Sequence, residues 1–158
     1  MSGNGHGAAR AWTRMLAVCG LVVGLDQAAK GAVTESLALG ERVELVLGVD
    51  LAHVTNRGIA FGLLDDGRGL VLAVTGVALG LVVAWFASDP ARPGLWLGVG
   101  LLTGGALGNL ADRIRADAVT DYLDPPLWPA FNLADVAITA GVAVIVLAAL
   151  TGAAEAEP

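Results

Sequence analysis

The chain has 158 residues, of which 56% are hydrophobic and only 15% charged, and its mean hydropathy is +0.71. This is more apolar surface than a water-soluble domain of this size can bury, so a soluble monomer is excluded and an integral membrane protein is implied. A net charge of −6 offers no basic stripe for phosphate neutralisation, so nucleic acid is not an expected partner.

The first apolar segment covers residues 11–31. Only residues 15–25 are continuously uncharged, with Arg10 and Arg14 ahead and Asp26 and Lys30 behind. A cleaved signal peptide has the same basic start, but should end in small residues at a cleavage site. Here the apolar run passes directly into Asp26-Gln27-Ala28-Ala29-Lys30, which continues a helical pattern. Further charge-free stretches run over residues 69–88, 93–111 and 136–154, each about long enough to cross a ~30 Å hydrocarbon layer as a helix. The reading is an all-α membrane protein, one domain over residues 1–158, with four spans near 11–31, 69–88, 93–113 and 133–152.

Residues 35–68, between the first two spans, are polar and β-leaning. Residues 42–47 begin with polar/apolar alternation, residues 51–55 suit another strand, and Gly48, Gly58 and Gly62 punctuate the segment, so short strands forming a small half-buried β-cradle are predicted. Residues 89–93 form a turn closed by Pro93 at a helix start. Residues 114–131 hold Pro125, Pro126 and Pro129, which exclude a continuous helix and predict a loop on the membrane surface. Residues 1–9 and 152–158 read as disordered tails.

Four spans put both termini on one side. Lys and Arg counts give Arg10, Arg14 and Arg92 on that side against Lys30, Arg42, Arg57, Arg68, Arg113 and Arg115 on the other, a tally that by itself opposes a cytoplasmic amino terminus. Trp12, Trp85 and Trp96 fall at span ends on the terminus side and Trp128 in the opposite loop, as interfacial belts require. One cysteine, Cys19, permits no internal disulfide, and it reads as a small buried hydrophobe. Two histidines, His6 and His53, are too few and too scattered for a metal centre, so no metal or cofactor is expected and any chemistry falls to carboxylates.

Asp26 and Lys30 stand at i,i+4 on one helical face, which suits a helix-end ion pair, yet Asp26 lies within a span where ionisable groups are costly and mark a site or a structural pairing. Asn109, Asp112 and Arg113 close the third span after the small-residue run at residues 104–108, whose glycines let another helix come near. An Asp112–Arg113 pair around a site is the expectation there. Asp121, in an outer loop, and Asp135, in the first turn of the fourth span, have no basic sequence neighbour. Asp135 also suits a helix cap. A Pro-rich turn between them lets the two carboxyls meet at the membrane boundary. Such a pair shares one proton, so that one carboxylate activates water and the other protonates a carbonyl oxygen, which suffices for peptide hydrolysis.

Five segments, taken together and in order, resemble lipoprotein signal peptidase (signal peptidase II): residues 26–30, Asn56-Arg57-Gly58-Ile59-Ala60-Phe61, residues 104–113, Val119-Thr120-Asp121-Tyr122 and Phe131-Asn132-Leu133-Ala134-Asp135. The resemblance implies a membrane aspartyl endopeptidase that cleaves diacylglyceryl-modified bacterial prolipoproteins ahead of the lipidated cysteine. It implies Asp121 and Asp135 as the catalytic dyad, with Asp26, Lys30, Asn56, Gly108, Asn109, Asp112, Arg113 and Asn132 supporting the site or contacting substrate. It further implies a bacterial cytoplasmic membrane, both termini cytoplasmic, the site at the outer face, and lipidated precursors and membrane lipids as partners. Thr120 stands where the family more often has an apolar residue, and residues 123–130 form a short, Pro-rich loop. From the residues alone, a four-span proton or cation transporter using Asp26, Asp112 and Asp135 stays as the alternative, as does a non-catalytic precursor chaperone.

Overall fold

The computed structural model describes residues 3–57 and 67–154. Four long helices and three short strands follow one another as α1 (Gly3–Ser36), β1 (Arg42–Val46), β2 (Val49–Asn56), α2 (Gly67–Ser88), α3 (Leu95–Ala116), β3 (Val119–Asp124) and α4 (Leu133–Ala154). Three helices hold stretches long and apolar enough to cross a membrane: His6–Ser36, Gly69–Ser88 and Leu133–Thr151. α3 is as long as α2, but five glycines together with Asn109, Asp112, Arg113 and Arg115 lower its hydropathy.

Those glycines set the packing. A Cβ on Gly100 or Gly104 would stand 2.9 Å from the Met15 or Cys19 carbonyl oxygen of α1, and one on Gly98 would stand 2.7 Å from Ile145 Cγ1 of α4. α3 therefore lies in backbone contact with α1 on one face and α4 on the other, the close approach that small residues permit between membrane helices. α2 packs more loosely, through Phe86, which is fully buried and meets Trp12 edge-on at 4.8 Å between ring centroids.

The strands form one antiparallel sheet in the order β1-β2-β3. Leu47 (φ 54°) and Gly48 (φ 77°) join β1 to β2 with both central residues in the left-handed region, the backbone of a two-residue type I′ hairpin. β3 comes from the segment expected to be a surface loop over residues 114–131. α3 continues to Ala116, Asp117 caps it in the left-handed region (φ 58°), and Val119–Asp124 then pairs with β2 before the prolines end the strand. Pro125 and its neighbours told where extended structure stops, but not that the six residues before them would find a partner strand some 65 positions upstream. The amino-terminal tail also differs from expectation, because α1 is helical from Gly3, and α4 runs on to Ala154. The predicted punctuation at Gly58 and Gly62 and the motif residues 58–61 lie outside the described residues.

Candidate active site

The carboxyl-terminal halves of α1 and α3, the amino-terminal turn of α4 and strand β3 converge at one end of the molecule, and each contributes polar side chains. Lys30 is buried and directs its ammonium at Asp26 Oδ2 (2.8 Å), Asp112 Oδ2 (2.8 Å) and Asn109 Oδ1 (2.9 Å). Three acceptors match the three donors of an ammonium group. Asp26, fully buried, turns its other oxygen to the backbone N–H of Ala134 (3.0 Å), so an anion sits at the positive end of α4. Gly108 leaves room for this, since a Cβ there would stand 2.6 Å from Asp26 Oδ2. Asp112 also accepts from the backbone N–H of Thr120 (3.2 Å) and from Gln27 Nε2 (2.9 Å), joining α3 to β3 and α1.

The polar network continues to the two proposed dyad residues. Asn109 Nδ2 donates to Asp135 Oδ1 (2.8 Å). Asn132 caps α4: its Oδ1 accepts the N–H of Asp135 (3.0 Å), and its own N–H donates to Asp135 Oδ2 (3.2 Å), a reciprocal capping box. The same Asn132 side chain donates through Nδ2 to Asp121 Oδ1 (2.7 Å). Asn56, on β2, donates to the second oxygen, Asp121 Oδ2 (2.9 Å). Asp121 and Asp135 thus bond to one asparagine, Asp121 from the sheet and Asp135 from a helix start. The cap reading of Asp135 holds, and the capping box fixes the direction of its carboxylate.

Asp121 is 2% exposed. Burial raises its pKa above the ordinary carboxylate value, the amides of Asn56 and Asn132 pull it down, the nearby charge of Asp135 pushes it up and Lys30 pulls it down, with a net rise. Burial likewise raises the Tyr122 phenol, whose oxygen accepts the N–H of Leu133 (3.1 Å) and ties β3 to the start of α4.

Nine of the ten expected site residues therefore meet in one network. Arg113 is the exception: among the described residues its Nη1 reaches only the carbonyl of Asn109 in its own helix, at 3.4 Å. The expected Asp112–Arg113 pair is replaced by Asp112–Lys30, because consecutive helical residues point about 100° apart and cannot share a face. Sequence reasoning missed Gln27 and Arg115 as members. Arg115 Nη1 donates to Gln27 Oε1 (2.6 Å), holding the amide whose nitrogen faces Asp112. The signal was present in the i,i+3 spacing of Asp112 and Arg115. Among the described residues, no group of three or more His, Cys, Asp or Glu is arranged to hold a metal ion.

This architecture is that of a bacterial membrane enzyme. A solved structure so described, obtained by the in meso method at 1.9 Å resolution, superposes with a TM-score of 0.80 at 28% identity over 86% of this chain and 92% of its own. A second, at 2.3 Å resolution, gives 0.81 at 27% identity over 90% and 91%. The family model for signal peptidase (SPase) II matches residues 18–151. The lipoprotein signal peptidase of Pelotomaculum thermopropionicum is 42% identical over 84% of this chain and 89% of that relative, and that of Halothermothrix orenii is 40% identical over 80% and 88%. The chain belongs to the signal peptidase II family, a family of proteases. The transporter alternative loses its support with this, and so does its physical premise: Asp26, Asp112 and Asp135 belong to one cluster rather than a path through membrane depth.

Proposed function

We propose that this protein is an aspartyl endopeptidase that removes the signal peptide from diacylglyceryl-modified bacterial prolipoproteins, cutting on the amino side of the lipidated cysteine. The observation that carries the reading is the doubly bonded Asn132, with Asp121 on its amide and Asp135 on its backbone and side chain. Within hydrogen-bonding distance of this cluster stand four carboxylates and one ammonium, Lys30. Full ionisation would leave an excess of three negative charges; in the proposed resting state one proton stays in the dyad, on Asp121, the carboxyl whose affinity for it burial raises.

In the proposed reaction a water lies between Asp121 and Asp135. Asp135 takes a proton from it as oxygen attacks the scissile carbonyl carbon, and Asp121 gives its proton to the carbonyl oxygen. The tetrahedral diol then collapses: one hydroxyl returns its proton to Asp121 as the carbonyl re-forms, the C–N bond breaks and the leaving amine takes up the proton held by Asp135. Asn109, Asn132 and Asn56 fix both carboxyls against rotation, and Lys30, Asp26 and Asp112 hold the helices that carry them. The sheet lies beside the site as a cradle for peptide and lipid.

Four spans, with α3 as the third, are part of the proposal. α3 has 22 residues and packs in backbone contact between α1 and α4. With four spans, the far end of α1, the far end of α3 and the start of α4 fall on the side opposite both termini. The proposed placement is the cytoplasmic membrane, termini inside, site at the outer face. Purified protein offered a diacylated synthetic precursor peptide tests the reading: cleavage ahead of the lipidated cysteine is expected, and an Asp121→Asn or Asp135→Asn protein that cleaves normally removes that residue from the mechanism.

A further inference from the structure

At the end of the molecule away from the carboxylates, three arginines surround a cleft of about 240 Å³ between the start of α1 and the α2–α3 connection, lined by Arg10, Arg14, Pro90, Arg92, Pro93 and Trp96 among others. A second cleft of about 310 Å³ shares Arg10 and Arg14 and adds Thr13. Among the described residues the ion pairs are Lys30–Asp26, Lys30–Asp112 and Arg42–Asp124, and none engages these three guanidinium groups. Arg14 lies over the Trp96 ring at 5.5 Å from its centroid, which holds the guanidinium in place while leaving its charge unneutralised. Arg92 uses Nη2 on the Ala148 and Ala149 carbonyls at 3.2 and 3.3 Å, so three of its five donors remain.

The depth of this cleft is set by the apolar segments around it. The charge-free run of α1 begins at Met15, directly after Arg14; the apolar stretch of α2 ends at Ser88, two residues before Pro90; that of α4 ends at Thr151, one turn beyond the carbonyls that Arg92 holds. Trp96 lines the cleft beneath Arg14, and Trp12, between the two α1 arginines, meets Phe86 next to Trp85, as an interfacial aromatic belt would. Further along the same helices, toward the middle of the apolar segments, Leu16, Leu81 and Leu147 are each at least 60% exposed. Three cations converging at headgroup depth above exposed leucines match an anion that carries its own hydrocarbon chains.

We infer that this cleft binds the phosphate of an anionic phospholipid, with Arg10, Arg14 and Arg92 as its ligands and the acyl chains lying along the adjacent helices. The site is independent of the peptidase reading, since it lies at the opposite end and uses none of the same residues. The test uses the full-length protein in a neutral detergent, titrated with dioleoylphosphatidylglycerol, dioleoylphosphatidylcholine or inorganic phosphate, with bound lipid counted by native mass spectrometry. The expected result is saturable phosphatidylglycerol binding and at least tenfold weaker phosphatidylcholine binding. Arg10→Gln and Arg14→Gln, both at exposed positions, each weaken the phosphatidylglycerol complex about fivefold, as expected for one arginine at an anionic lipid surface. Arg42→Gln on β1 leaves it unchanged. Equal binding of both lipids, or an unaltered affinity in the Arg10→Gln/Arg14→Gln double variant, overturns the inference. Inorganic phosphate that binds as tightly as the lipid overturns the lipid assignment.

Discussion

Asp121 presents a carboxyl group with two amide donors and almost no water. Its raised pKa means that the folded protein binds a proton more tightly than the unfolded chain does. Between the ordinary carboxylate value and the raised one, the folded state therefore holds more protons, and stability falls as pH rises. Asp121→Asn removes that ionisation, so its thermal midpoint varies less across this window than that of the parent, while precursor cleavage falls by at least about a thousandfold because an amide cannot exchange the proton. Melting curves at several pH values and a cleavage assay check both halves. Asn56→Ala acts in the opposite direction on the titration. It deletes a donor that favours the ionised form, so the alkaline limb of the kcat/KM profile moves to higher pH, and an unmoved limb shows that Asn56 does not tune Asp121.

At the level of elements, two devices hold the helices in register, one apolar and one ionic. The glycines of α3 are the apolar device. Gly105 is in such close contact with the Ala134 carbonyl of α4 that a Cβ cannot be accommodated without displacing the helix start that carries Asp135. Gly105→Ala is expected to cost about 1–3 kcal/mol of stability and most of the activity, whereas Gly80→Ala in α2, where nothing lies within 4 Å, is neutral or slightly stabilising. Thermal melts of the two variants make the comparison. The ionic device is Lys30 with Asp26 and Asp112. Lys30→Met leaves buried Asp26 and half-buried Asp112 without their cation, at about 3–5 kcal/mol, and the folded protein recovered from membranes should drop sharply. Asp112→Asn should reduce abundance in the same assay, more mildly, because its Oδ1 can still accept from Gln27. Normal abundance with lost cleavage would instead place Asp112 in the reaction itself.

Across the whole molecule, the polar network gathers at one end and the arginine cleft at the other, with α1, α3 and α4 running between them. Four spans predict that cysteine probes placed at residue 5 and residue 156 are labelled from the same side of the membrane, and a probe at residue 45 from the other. Labelling of the two termini from opposite sides overturns the four-span arrangement.

The sequence by itself determined the membrane character and the location of the four long helices, which follow from local hydropathy, and it marked Asp26, Lys30 and Asp112 as members of a polar cluster because such residues are costly to bury. It also supplied the first two strands through alternation and a Gly-containing turn. Only the tertiary structure decided that β3 joins the sheet, that Asp112 pairs with Lys30 rather than Arg113, and that Asn132 bonds to both Asp121 and Asp135. A strand needs a partner edge, an ion pair needs a shared face, and a bridging amide needs two carboxyls from different elements. Each of these depends on the path of the chain through space, which spacing along the sequence does not encode.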